Sequence, residues 1–117
     1  MNYYLSISNE IGIVSEDNRE YHRAFDRPLE VICGELLAFI KEDQDIMFVG
    51  SHAAFDYFAF TNLFGVFPDQ FVDRFPLWIF DIQQLEESNF FDYRKGHNAI
   101  QLARKIKNDY ERLKVNG

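Results

Sequence analysis

Two short, uninterrupted apolar runs constrain this chain more than any other feature: Ile46-Met47-Phe48-Val49 and Leu77-Trp78-Ile79-Phe80. Four apolar residues in a row leave no polar face, so a strand built from them must be covered on both sides. Each run is followed by a stop and a helical pattern. Gly50 ends the first run, Ser51 offers a helix cap, a helix is predicted over roughly Ala53 to Phe64, and Gly65 stands at its C′ position. Asp81 closes the second run, and a short helix is predicted over Gln83–Glu87. A strand, a helix and a second buried strand imply parallel pairing with a right-handed crossover.

The flanking segments complete the pattern. Residues 2–8 (NYYLSIS), 11–15 (IGIVS) and 20–25 (EYHRAF) read as strands joined by short turns, at Asn9-Glu10 and at Ser15-Glu16-Asp17-Asn18. Asp26 precedes Arg27-Pro28, a helix start with an early proline, and Leu29, Ile32, Cys33, Leu36, Leu37 and Ile40 follow on one helical face. The last helix is expected to begin at His97 or Asn98 and to run to about Lys114. Its stripe is Ala99, Leu102, Ala103, Ile106, Tyr110 and Leu113. The expected fold is one α/β domain over residues 1–117. Three leading antiparallel strands and then strand–helix units form a mixed five-stranded sheet with helices on its faces. A chain this short builds such a core because it carries 13 Phe and 6 Tyr, which bury large areas.

Charge narrows the function. Residues 1–93 hold 5 Lys/Arg against 17 Asp/Glu, and residues 94–117 hold 7 against 2. An acidic body argues against broad nucleic-acid binding, while the basic C-terminal segment is either a local strand-holding site or a solvated helix face, the latter being preferred. No apolar run reaches the ~20 residues of a bilayer span, so no membrane association is expected. The N-terminus does not read as a signal peptide. Cys33 stands alone, so neither an intrachain disulfide nor a cysteine metal site is available, and a reducing, cytoplasmic setting is expected.

Four segments carry a resemblance: 48–65 (FVGSHAAFDYFAFTNLFG), 75–85 (FPLWIFDIQQL), 97–113 (HNAIQLARKIKNDYERL) and, more weakly, 11–22 (IGIVSEDNREYH). Together they resemble the compact, single-domain 3′–5′ exoribonucleases of the DEDD type, in the subgroup that uses a histidine. The order of the segments is more specific than any one of them. The resemblance implies an RNase H-like fold and hydrolysis assisted by Mg or Mn, in which carboxylates hold the ions and a histidine activates water. It implies single-stranded nucleic acid as substrate.

Carried over residue by residue, the resemblance is incomplete. Asp56 matches the third carboxylate, as catalytic residue and metal ligand, and His97 matches the catalytic histidine. Five residues after His97, where the family has aspartate, stands Leu102. On the first strand the best fit to the family's D-x-E is Ser8-Asn9-Glu10, which keeps Glu10 as a ligand and loses Ser8; an alternative register matches 11–17 to the second strand. In either register the leading aspartate is absent. Serine and leucine cannot replace anionic oxygen donors for a hard cation.

Each residue also has a plain structural reading. Asp56 would be an exposed helical residue, His97 a helix-start residue, Glu10 a turn residue, Asp81 a cap on the following helix and Leu102 part of an apolar stripe. His52 would be solvated, and Tyr57, Phe58 and Phe60 would face the core. Three functions remain open: a degenerate exonuclease-like protein that binds nucleic acid or protein without efficient hydrolysis, a working nuclease with an atypical site, and a regulator or inhibitor that reuses the fold to bind a partner protein.

Overall fold

The computed structural model describes residues 1–40, 45–65, 75–85 and 96–116. Within these residues the chain is α/β. The strands are β1 (Asn2–Ile7), β2 (Glu10–Ser15), β3 (Glu20–Ala24), β4 (Met47–Gly50) and β5 (Phe80–Asp81). The helices are α1 (Leu29–Phe39), α2 (Ala54–Leu63) and α3 (Ala99–Asn116), with a 3₁₀ turn at Ile82–Gln84.

The five strands form one mixed sheet in the order β3-β2-β1-β4-β5. β1, β2 and β3 pair antiparallel, while β4 pairs parallel with both β1 and β5. The three leading strands and the parallel strand–helix units thus stand as expected. Ser15 builds the second hairpin: its hydroxyl accepts from the Arg19 N–H at 2.8 Å, and Asn18 takes the left-handed backbone at φ 67°.

Side-chain alternation along β1 splits the core in two. Tyr3, Leu5 and Ile7 face α1 and α2, in one cluster with Ile32, Cys33, Leu36, Phe60, Leu63 and Phe64. Tyr4 faces the other way, in a cluster with Val49, Ile82 and the α3 residues Leu102, Ile106 and Tyr110. The sheet is therefore a middle layer between α1 with α2 and α3. Four phenylalanines, Phe48, Phe60, Phe64 and Phe75, stack in mostly edge-on pairs with centroids 5.1–5.8 Å apart. Such pairs add about 0.5–1.5 kcal/mol each beyond the area they bury.

α3 lies so close to β2 that only glycine fits between them. A Cβ on Gly12 would stand 2.3 Å from the Ala99 carbonyl carbon. Its other end of the contact is a helix start that closes itself. Asn98 accepts from the Gln101 N–H at 2.9 Å, and the Gln101 side chain accepts from the Asn98 N–H at 3.0 Å, a reciprocal capping box.

Several expectations need correction. The run 77–80 is not a strand buried on both faces: only Phe80 and Asp81 pair with β4, and Leu77 and Trp78 are 72% and 57% exposed. β5 is the edge of the sheet and touches a four-residue neighbour, so there is nothing for the first half of the run to pair with. Ser51 does not cap α2. Its hydroxyl accepts from the Gln83 side chain at 2.9 Å, and Asp81 supplies the acceptors at the start of α2 instead. Gly65 follows α2 at C′ without a left-handed backbone, and the helix closes through Phe64 N–H to Thr61 C=O and Gly65 N–H to Asn62 C=O, both 3.1 Å. α1 begins after Pro28, which stands at the N-cap and not inside the first turn. The short helix after β5 is the 3₁₀ turn at Ile82–Gln84; Glu86 and Glu87 lie outside the described residues.

Candidate functional site

The parallel strands β1, β4 and β5 end on one side of the sheet, and Asp56, Glu10 and Asp81 stand at that end. In open α/β sheets this is the end that ligands use. Each of these three carboxylates accepts from a backbone N–H.

Asp56 sits in the first turn of α2 and is wholly buried, not exposed as its plain structural reading had it. Its Oδ1 accepts from the Ile7 N–H at 2.8 Å, at the last residue of β1. A buried carboxyl must find donors or pay a desolvation cost of several kcal/mol, and an N–H at a strand end needs an acceptor, so the two satisfy one another.

Glu10 opens β2, and its Oε1 accepts from the Ala99 N–H at 2.9 Å, the first N–H of α3. Its Oε2 stands 3.1 Å from His22 Nε2 on β3. The Ala99 N–H, and after it His22, hold the Glu10 carboxyl below its usual value, against a smaller opposing effect of burial. A carboxylate at a helix N-terminus also meets the positive end of the helix dipole. Glu10 thus works as a tether between β2 and α3.

Asp81 accepts three backbone N–H bonds. Oδ1 accepts from His52 N–H and Gln83 N–H, both at 3.0 Å, and Oδ2 from Ala53 N–H at 3.0 Å. It caps the 3₁₀ turn, as its position after the apolar run suggested, and also holds the β4–α2 connection. His52 is half-buried, not solvated, in a left-handed backbone at φ 49°. That strained conformation is held by the N–H bond to Asp81.

The remaining matched positions stand apart from these. His97 is exposed, two residues before α3, and with Gln101, Arg104, Lys105, Asn108 and Asp109 it lines an open groove of about 430 Å³ along the outside of that helix. Asp56 and His97 belong to the same end of the sheet but to helices in opposite layers, one side chain sealed and the other in solvent. Ser8 is exposed and lies after β1 ends, in the turn to β2, with its hydroxyl donating to Asn9 at 3.2 Å. The Ser8-Asn9-Glu10 register therefore straddles a turn and does not run along one strand. Leu102 is 2% exposed and lies in the core cluster with Tyr4, Val49, Ile82, Ile106 and Tyr110, as its place in the apolar stripe suggested.

Ser6 was missed. It is buried, and its hydroxyl has no hydrogen-bond partner among the described residues. It pairs across the sheet with Gly12, where α3 lies against the strand. No spacing in the sequence distinguishes it from the other β1 residues.

This donor set does not fit two hard cations. Asp56 and Glu10 are committed to backbone N–H groups, Ser8 is neutral and outward, and Leu102 is apolar and packed. Among the described residues, no group of three or more His, Cys, Asp or Glu is arranged to hold a metal ion. None of the described helices is long and apolar enough to cross a membrane. No protein-family model and no curated protein matches the chain.

Proposed function

We propose that this chain is an RNase H-like domain of the 3′–5′ exonuclease type that does not hydrolyse nucleic acid and acts by binding a partner protein. The sheet order β3-β2-β1-β4-β5, with β2 alone antiparallel to both its neighbours, supports the fold part of this reading. The observation that carries the loss of hydrolysis is Asp56, the best-matched metal ligand, sealed from solvent with an oxygen on the Ile7 N–H.

A protein partner is preferred over a nucleic acid because four of the five cations of α3 meet acids of the chain itself. Arg104 holds Glu20 through two bonds of 2.6 and 2.7 Å, Lys105 and Arg112 meet Asp109 at 3.3 and 3.8 Å, and Lys107 meets Glu111 at 3.8 Å and also donates to Asn18. Cations so paired release few counterions on meeting phosphate. The chain as a whole is acidic, at a net −7.

The test uses 5′-labelled single-stranded RNA and DNA with Mg²⁺ or Mn²⁺. The expected result is no shortening from the 3′ end and no rise in melting temperature with Mn²⁺, since a ion bound only by the native state would stabilise it. Metal-dependent shortening that disappears in Asp56→Asn would overturn the reading and restore the atypical nuclease.

A further inference from the structure

The two edges of the sheet are not alike. β5 is two residues long, whereas β3 presents five, Glu20–Ala24, paired one-to-one with β2 without a bulge or a proline. Natural sheets blunt a long edge with such breaks or with charge, because its free backbone groups recruit another strand. On β3 the side chains that could guard the edge are engaged within the chain. Glu20 holds Arg104 of α3, His22 meets Glu10 of β2, and Arg23 meets Glu35 of α1. The phase of the ladder says which backbone groups face out. Ser15 N–H donates to Arg19 C=O at 2.8 Å, so these two residues form a hydrogen-bonded pair. Such pairs alternate along an antiparallel ladder. Tyr21 and Arg23 therefore bond to Ile13 and Ile11, while Glu20, His22 and Ala24 point N–H and C=O away from β2. Among the described residues, none donates to or accepts from these outward groups.

We propose that β3 pairs antiparallel with β3 of a second copy of this chain, on a two-fold axis through His22. The outward residues are spaced symmetrically about His22, so a second copy meets them in kind. His22 faces the partner's His22 and Glu20 faces the partner's Ala24, each pair exchanging two bonds. Registers shifted along the strand leave some of these groups unmet. Tyr21 then stands opposite the partner's Arg23, in the closer kind of pair that suits a ring and a guanidinium. Arg23 Nε is buried without a hydrogen-bond partner among the described residues, and a ring face offers such an N–H a weak acceptor. Charge permits the approach, although each copy carries a net −7. Residues 17–27 balance Asp17, Glu20 and Asp26 with Arg19, Arg23 and Arg27, which are three of the 5 bases in residues 1–93. The edge is a neutral strip on an acidic body, so two copies meet there with little repulsion. The inference rests on the sheet edge and is independent of whether the domain hydrolyses nucleic acid.

A single added strand buries less than a standard interface, so the dissociation constant is expected on the order of 10 µM. Sedimentation of the full chain should show mass rising with concentration and stopping at the dimer, since a two-fold contact closes on itself. His22→Cys tests the register. Its thiol faces its own copy across Cα atoms about 5.5 Å apart, within disulfide reach, whereas the Cα atoms of Glu20→Cys would be about 15 Å apart. Cys33, the only native cysteine, is buried. Under mild oxidation His22→Cys should form a covalent dimer at least tenfold faster than Glu20→Cys. His22→Pro removes an outward donor and no bond to β2. It should weaken dimerisation at least tenfold in a protein that stays folded by circular dichroism. Ala24→Pro serves with the same reading if His22→Pro does not fold. The proposal is overturned by a monomer at concentrations about a hundredfold above the expected constant, or by growth past the dimer. Equal crosslinking rates, or proline variants that dimerise as wild type does, also overturn it. The nuclease assay is read separately, so degradation of RNA or DNA would remove the non-hydrolytic reading and leave this one standing.

Discussion

Helices α2 and α3 are pinned to the same end of the sheet by a carboxylate on a backbone N–H, but the bond runs in opposite senses. α2 sends Asp56 to the end of β1, whereas β2 sends Glu10 to the start of α3. The outer faces differ as well. α3 covers its solvent side with ion pairs, and α2 leaves phenylalanines there. The comparison teaches that a helix is fixed by its inner face and its end, so two outer faces of opposite character are compatible with the same kind of anchor. α3 spends that face on charge pairs worth little individually, and α2 keeps it apolar.

The largest effect should come from breaking the inner face of α3. Leu102→Asp puts a carboxylate among Tyr4, Val49, Ile82 and Ile106. The lost packing and the buried charge together should cost about 4 kcal/mol or more. Urea unfolding followed by far-UV circular dichroism should show a collapsed midpoint or no folded baseline. A midpoint near wild type would mean that α3 does not bury this residue. The same variant combined with Ser8→Asp should not gain metal-dependent nuclease activity, because neither new carboxylate would join Asp56 in an open site.

Asp56→Ala comes next and tests the α2 half of the comparison. It orphans the buried Ile7 N–H, with an expected loss of about 3 kcal/mol. Asp56→Asn keeps an oxygen for that N–H and should lose about 1 kcal/mol. Equal, negligible losses in the two variants would show that the bond is not structural.

Glu10→Ala should cost less, about 1 kcal/mol, because its carboxylate is partly solvated and α3 keeps its own capping box. The pH dependence gives the sharper test. The Glu10 carboxyl is held below its usual value in the folded protein. Its contribution is therefore present above the ordinary glutamate value of about 4.3 and is lost as pH falls through the lower folded value. Acid melts should show a shallower loss of stability below that pH in Glu10→Ala than in wild type. Identical acid limbs would rule the tether out as a source of acid sensitivity.

The smallest effect belongs to the outer face of α2. Phe58→Ser should change the unfolding free energy by no more than about 0.5 kcal/mol, since the ring is mostly in solvent already. A loss above 2 kcal/mol would place the ring in the core and remove the contrast between the two helices.

The sequence was a reliable guide wherever a local pattern had one physical solution. The stripe Ala99, Leu102, Ala103, Ile106 and Tyr110 faces the core as its spacing required, and Leu113 is half-buried at its end. Ile46-Met47-Phe48-Val49 contains a central parallel strand, and Asp81 caps the turn after β5. The run 77–80 misled because four apolar residues state a need for cover without stating that cover exists. At the sheet edge only its last residue, followed by Asp81, found a partner. Phe58 misled in the same way: it was expected to face the core, and the structure turns it outward.

The carboxylates divide most clearly between the two sources of information. The sequence by itself determined which residues could not be ligands, since leucine at 102 and serine at 8 carry no anionic oxygen at any geometry. It also determined the acidic body, the lone cysteine and the α/β order of elements. Only the tertiary structure decided what Asp56, Glu10 and Asp81 do. Their partners are backbone N–H groups 49, 89 and up to 29 residues away, and a backbone N–H looks the same at every position of a sequence. Which of them is left without an acceptor at a strand end or helix start depends on how the layers are stacked, and that appears only once the chain has folded.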